Sequence, residues 1–139
     1  MIVYYVDTCI FLNIWKREVG PDPRRPFWKG SEEFLKPHDD EIAISTVVMR
    51  ELELKLQKEF LELRKGIETV PRLTPDEEIF RRARKIESTE RFTLSFYDIL
   101  HALLAREHSL VLVTRDEKLL AFCRRSGVAA ARPEECRGR

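Results

Sequence analysis

The sequence predicts a single α/β sandwich built on a parallel sheet. Two observations carry that prediction. Short apolar runs suited to buried strands recur along the chain, and each is followed by a segment whose apolar residues have helical spacing. A chain of 139 residues can bury some two-thirds of its unfolded surface, enough for one self-sufficient core. No internal repeat, low-complexity tract or long linker divides it.

Residues 2–6 form the first strand candidate, and Thr8 to Lys16 the first helix. Residues 18–30 hold three prolines and two glycines and read as a loop. Ser31 opens a short helix that stops near Pro37. Ile42-Ala43-Ile44-Ser45 is a second buried strand, and Ser45 or Thr46 caps one long amphipathic helix to about Arg64. Ile67 to Val70 is a weaker third strand. Thr74-Pro75-Asp76-Glu77 starts a helix to about Glu87, with Thr74 as cap, proline at the first position and acids in the first turn. Ser95 opens the next helix, Leu110 to Val113 is the clearest strand, and Asp116 caps a helix that Gly127 ends. Val128-Ala129-Ala130 is the last strand candidate.

Composition removes several classes. No uncharged apolar run approaches the roughly 18 residues of a membrane-spanning helix, and the N-terminus lacks the basic flank of a signal peptide. Cys9, Cys123 and Cys136 are odd in number and far apart, unlike a disulfide framework or structural zinc site. A reducing cytoplasm is the expected home. With 25 basic against 24 acidic residues, nucleic-acid binding would have to come from local patches.

In an open parallel sheet the ligand crevice lies beyond the carboxyl ends of the strands. Asp7 directly ends the first strand run, and Asp116 follows the run ending at Val113 by three residues. Glu51 shares the inward helical face of Val47, Val48 and Leu54. Asp98 lies in a first helical turn, with His101, Ala102 and Ala105 along its stripe. Each acid also has a purely structural reading: Asp116 as a cap, Asp98 as a helix-dipole partner, Glu51 as a partner of Lys55. Four such acids on one rim are less easily structural together. Crowded carboxylates repel by about 4 kcal/mol per pair at 4 Å and an effective dielectric near 20, so a cluster needs protons or a cation. All-oxygen donors favour a hard ion, Mg²⁺ or Mn²⁺, and that equipment suits phosphate-ester hydrolysis.

Val6-Asp7-Thr8 before an apolar helix, Ser45 with Glu51-Leu52, Asp98-Ile99-Leu100-His101-Ala102, and Thr114-Arg115-Asp116 together resemble the signatures of PIN-domain ribonucleases. By length and order the resemblance is to the VapC-type toxins of prokaryotic toxin–antitoxin pairs, from Ile2 to about Val128. It implies a three-layer α/β/α sandwich over residues 1–139; the polar stretch from Arg132 to Arg139 is by its composition expected to be a frayed tail. It further implies a Mg²⁺-dependent endoribonuclease, Mn²⁺ substituting, that hydrolyses RNA by metal-activated water. Asp7, Glu51, Asp98 and Asp116 would be its catalytic and metal-ligating acids, and Thr114 would orient them from behind. A cognate antitoxin and a homodimer are the implied partners.

His101 is expected to be structural, packed beside alanines, and Cys9 a buried packing residue. Arg24, Arg25, Trp28 and Lys29 in the proline-rich loop could grip phosphates and stack on an RNA base, or belong to a surface loop that packs locally. The Arg81-Arg82-Ala83-Arg84-Lys85 run is expected to be a solvated helix face. Three other readings stay open: housekeeping RNA maturation at the same site, a non-catalytic module of the same fold, and a phosphorelay receiver. The receiver would need an acidic pair after the first strand, where Asp7 stands alone.

Overall fold

The computed structural model describes residues 1–136. Its centre is a five-stranded, all-parallel sheet: β1 (Tyr4–Val6), β2 (Ile42–Ser45), β3 (Arg72–Leu73), β4 (Val111–Val113) and β5 (Ala130–Ala131), in the order β3-β2-β1-β4-β5. Tyr5 pairs with Ala43 on one side and Leu112 on the other. Helices α1 (Thr8–Trp15), α2 (Phe27–Leu35), α3 (Thr46–Leu56), α4 (Phe60–Leu63), α5 (Glu77–Thr89), α6 (Phe96–Glu107) and α7 (Glu117–Ser126) flank it, completing the three-layer α/β/α sandwich.

The central strands are apolar on both faces because both faces are covered. Tyr5, Val6, Ile44 and Leu112 are fully buried against Ile10, Val48, Leu52, Leu100, Leu104 and Leu119. Strand order reverses at β1, with β2 on one side and β4 on the other. The crevice of such a sheet opens beyond the carboxyl ends of those strands, where Asp7 and Thr114 emerge. No helix among the described residues is long and apolar enough to cross a membrane.

Several expected boundaries move, each for a local reason. The helix from Thr46 does not continue to Arg64: Gln57 takes a positive φ of 52° and ends α3. A straight helix of that length would run about 28 Å, far past strands of four residues. Turning at Gln57 instead buries Phe60 and Ile67. Leu54 falls outside the inward face and is 48% exposed, while Val47, Val48, Glu51 and Leu52 are buried.

The third strand is Arg72–Leu73, not 67–70, because Ile67 closes a turn by accepting the amide of Val70. Helix α2 begins at Phe27 rather than Ser31, the amides of Phe27 and Trp28 being held by the carbonyls of Val19 and Glu18. Helix α5 is capped by Asp76, which accepts the Ile79 amide at 2.9 Å, and not by Thr74. The last strand falls one residue later than expected, at Ala130–Ala131.

The tail is not frayed from Arg132. Pro133–Glu135 forms a 3₁₀ turn, Pro133 and Cys136 are buried, and Glu134 pairs with Arg115 at 2.6 Å. Arg115 joins three elements: it donates to Asn13 of α1, to the Phe27 carbonyl and Ser31 hydroxyl of α2, and to Glu134 of the 3₁₀ turn. The expectation for 137–139 lies outside the described residues.

Candidate active site

The pocket starts from Asp7, the residue at which β1 becomes α1. Its backbone is extended and its Oδ1 caps the helix by accepting the Thr8 amide at 2.8 Å. Oδ2 accepts the Thr114 hydroxyl at 2.7 Å and the Cys9 thiol at 3.3 Å. Asp7 is therefore buried with both oxygens oriented by neighbours from α1 and the end of β4. Thr114 also receives the Asp116 amide at 3.2 Å, so one hydroxyl links two of the acids.

Glu51 comes from the inward face of α3 and is buried. It does not lean on Lys55 in the way a surface i,i+4 pair would. Its Oε1 accepts the Thr8 hydroxyl at 2.8 Å and faces His101 Nε2 at 2.5 Å. His101 Nε2 is also 3.4 Å from Asp7 Oδ1. Asp7, Glu51 and His101 thus present ligand-type atoms all within 4.8 Å of one another. Burial works against charge on both Glu51 and His101, but their mutual hydrogen bond and the surrounding carboxylates outweigh it. The Glu51 carboxyl ends below its ordinary range and the imidazole above its own. Both shifts favour the charged form of each group.

Asp98 stands in the first turn of α6, where Ser95 supplies the cap by accepting its amide at 3.0 Å. Burial, then the charges of Asp7 and Asp116, push its carboxyl from the ordinary 3.8 to about 6. Asp116 is exposed and caps α7, its Oδ1 accepting the Leu119 amide at 3.0 Å. The capping reading of Asp116 is therefore correct as structure, and it leaves the same carboxylate close enough for Asp98 to feel its charge.

His101 behaves differently from expectation, whereas Cys9 packs against the core as expected, though only half-buried. His101 is fully buried, but its nitrogens serve Glu51 and the Tyr5 hydroxyl rather than simply filling space beside alanines. A histidine on an otherwise apolar helix face must find polar partners when buried, and the acid one turn earlier was the available signal. Cys9 is half-buried and in contact with Asp7 and Thr114. Burial and the Asp7 charge raise its thiol well above the ordinary range, so it is an inert neighbour.

The loop cations lie apart from this cluster. Arg24, Arg25 and Lys29 are exposed and line a separate cleft with Phe27, Arg115, Arg132 and Glu134. Trp28 is half-buried with the Arg17 guanidinium 4.5 Å above its ring, and Phe27 carries Arg115 at 4.4 Å. Both aromatics of the loop are locally engaged. Along the basic run on α5, Arg81 pairs with Glu78 at the surface and Arg84 lies over Phe96.

The family model of the PIN domain matches residues 4–125. The chain belongs to the PIN-domain family. PIN domains are generally nucleases. The fold of this PIN domain is similar to the DNA-bound VapBC of Salmonella typhimurium, at 22% identity and a TM-score of 0.68, covering 96% of this chain and 99% of that one. It is similar to FitAcB of Neisseria gonorrhoeae at 20% identity and a TM-score of 0.65, covering 94% and 98%. A third is VapBC-5 of Mycobacterium tuberculosis, a member of the VapBC family of toxin-antitoxin systems. It shows 17% identity and a TM-score of 0.60, covering 95% and 99%. A search of curated proteins matched none.

The donor chemistry of this PIN domain fits a hard divalent cation. Asp98 is held unfavourably as an anion by burial and then by its acidic neighbours, a condition a cation relieves. The oxygen donors suit Mg²⁺ or Mn²⁺ more than softer ions, and both nitrogens of His101 are already engaged.

Proposed function

We propose that this PIN domain is a Mg²⁺-dependent endoribonuclease, with Mn²⁺ as a substitute, and the toxin of a toxin–antitoxin pair. The observation that carries the reading is the convergence of Asp7, Glu51 and His101 beyond the carboxyl ends of the strands, their ligand-type atoms within 4.8 Å of one another, beside an Asp98 carboxyl raised to about 6 by burial and then by the charges of Asp7 and Asp116. An acid from α6 is thereby linked to acids following β1 and β4 at the crevice of the sheet. Strongly perturbed carboxyls in such a place are the mark of a working site rather than of surface polarity.

Asp7, Glu51, Asp98 and Asp116 are the proposed metal-holding and catalytic acids. A bound Mg²⁺ supplies positive charge to the attacked phosphodiester and acidity to a water molecule. The chain supplies orientation. Thr114 fixes one oxygen of Asp7, the Thr8 amide fixes the other, and the Thr8 hydroxyl holds Glu51. A carboxylate among these would accept the proton released as water oxygen bonds to phosphorus; the P–O3′ bond breaks, leaving a 5′-phosphate and a 3′-oxygen that takes a proton from solvent to become the hydroxyl. Arg24, Arg25 and Lys29, which are in no ion pair among the described residues, are the proposed contacts to the RNA backbone. Trp28, already covered by Arg17, would have to exchange that partner for a base.

The toxin role is supported by fold similarity to VapBC and FitAcB. With it come a cognate antitoxin, a homodimer and a cytoplasmic site of action. Cleavage of labelled single-stranded RNA by the purified protein, with Mg²⁺, Mn²⁺ or EDTA, tests the activity. Cutting with either metal, absent in EDTA and in Asp98→Asn, is expected; cutting that survives in EDTA or in the variant overturns the assignment. Co-expression with the product of the adjacent upstream gene tests the role, rescue of growth arrest being expected.

A further inference from the structure

We infer that His101 is the positioning residue of the acidic pocket, holding one oxygen of Glu51 so that the other is presented to the divalent ion. The inference rests on the reading of Asp7, Glu51, Asp98 and Asp116 as a cation site and assigns a task to a residue outside that set.

The geometry is a chain of buried hydrogen bonds running from the sheet to the pocket. Ser45, at the end of β2, accepts the Val48 amide at 3.1 Å and lies 2.6 Å from the Tyr5 hydroxyl. Tyr5, on the central strand, lies 2.6 Å from His101 Nδ1. His101 Nε2 meets Glu51 Oε1 at 2.5 Å, and the Thr8 hydroxyl donates to that same oxygen at 2.8 Å. An oxygen already receiving a hydroxyl proton is an acceptor, so the imidazole is the donor. Ser45, Tyr5 and His101 are each fully buried, and a buried ring bonded at both nitrogens has one orientation.

Both bonds to Glu51 fall on Oε1. Among the described residues no fully buried side-chain oxygen lacks a hydrogen-bond partner. Oε2, which neither bond reaches, therefore keeps some access to solvent, the condition for meeting an ion. This is how outer-shell partners orient metal-binding carboxylates, by taking the oxygen that faces away from the ion. With Nδ1 committed to Tyr5 and Nε2 to Glu51, His101 has no nitrogen left for an ion, although it lies within 4.8 Å of Asp7 and Glu51.

Mn²⁺ binding by titration calorimetry, with circular dichroism to establish folding, tests the assignment in the full chain. His101→Gln keeps an N–H donor of similar reach, and His101→Leu keeps bulk without a donor. Tyr5→Phe leaves the imidazole but frees its far side. Expected results are Mn²⁺ affinity within a few-fold of the parent for His101→Gln, loss of about 10- to 100-fold for His101→Leu, and several-fold for Tyr5→Phe. Stoichiometry should be unchanged throughout. Affinity in folded His101→Leu equal to or tighter than the parent overturns the inference, as does equal loss in the Gln and Leu variants, which would make His101 a ligand. Should the Leu variant not fold, Tyr5→Phe binding as tightly as the parent overturns it equally. A parent that binds no Mn²⁺ is a separate result, and overturns the cation site itself.

Discussion

Asp98 offers a test in which stability and function move in opposite directions. Its carboxyl is raised from 3.8 to about 6 by burial and by Asp7 and Asp116. Holding it ionised at pH 7.5 without metal therefore costs about 3 kcal/mol. Asp98→Asn removes that cost. It also removes a negative charge from the first turn of α6, worth 0.3–1 kcal/mol to the helix, and the partly open carboxyl is further screened by solvent. The net gain for the metal-free variant is about 2 kcal/mol, or roughly 5 °C in melting temperature for a chain of this size.

The pH dependence identifies the cause. Between about 4 and 6 the folded protein retains a proton that the unfolded chain has released, so parental stability falls as pH rises through that window. Asn does not titrate. The advantage of the variant should be near zero at pH 4 and complete by pH 7. Urea denaturation in EDTA at pH 4.5, 6 and 7.5 measures it. Saturating Mn²⁺ should then reverse the order, since binding at 100 times the dissociation constant stabilises the parent by about 2.7 kcal/mol. A variant less stable than the parent in EDTA at pH 7.5, or a difference that ignores pH, refutes the picture of an acid held against its neighbours.

Other expectations follow from the same structure. Thr114→Val removes the hydroxyl that orients Asp7 at 2.7 Å and meets the Asp116 amide at 3.2 Å. It should cost about 1–3 kcal/mol of stability and weaken Mn²⁺ binding measurably by calorimetry. Leu112→Ala, at a fully buried position of the strand between β1 and β5, should lower stability by about 2–5 kcal/mol in urea denaturation. Replacing Arg24, Arg25 and Lys29 together with alanine should leave Mn²⁺ affinity unchanged. The same triple variant should flatten the salt dependence of RNA binding by about 0.7 per lost phosphate contact. Arg115→Met should release the 3₁₀ turn at Pro133–Glu135, seen as faster amide exchange there, because Glu134 and Asn13 lose their shared partner.

The parts legible in the sequence are those governed by local rules. β1, β2 and β4 are continuous apolar runs because helices cover both their faces, and Ser45, Ser95, Asp116 and Gly127 mark helix ends through chemistry contained within four residues. Asp7 and Glu51 were visible because each interrupts an apolar pattern where burial is expected, Asp98 and Asp116 because they fall at helix starts on the same rim. What stayed hidden depends on contacts between distant segments. Nothing near Gln57 announces a break; the helix turns there because the sheet is short and Phe60 and Ile67 must reach it. Arg132 onward looks like a polar tail until Arg115, nineteen residues before Glu134, gives it an anchor. His101 is the most consequential case. Its neighbours in sequence are apolar, which suggests packing, whereas its partners Tyr5 and Glu51 are 96 and 50 residues away. Each of those three looks ordinary on its own helix or strand. Only the order β2-β1-β4, with α3 and α6 laid across it, turns a core tyrosine, a helix histidine and an inward glutamate into one hydrogen-bonded unit.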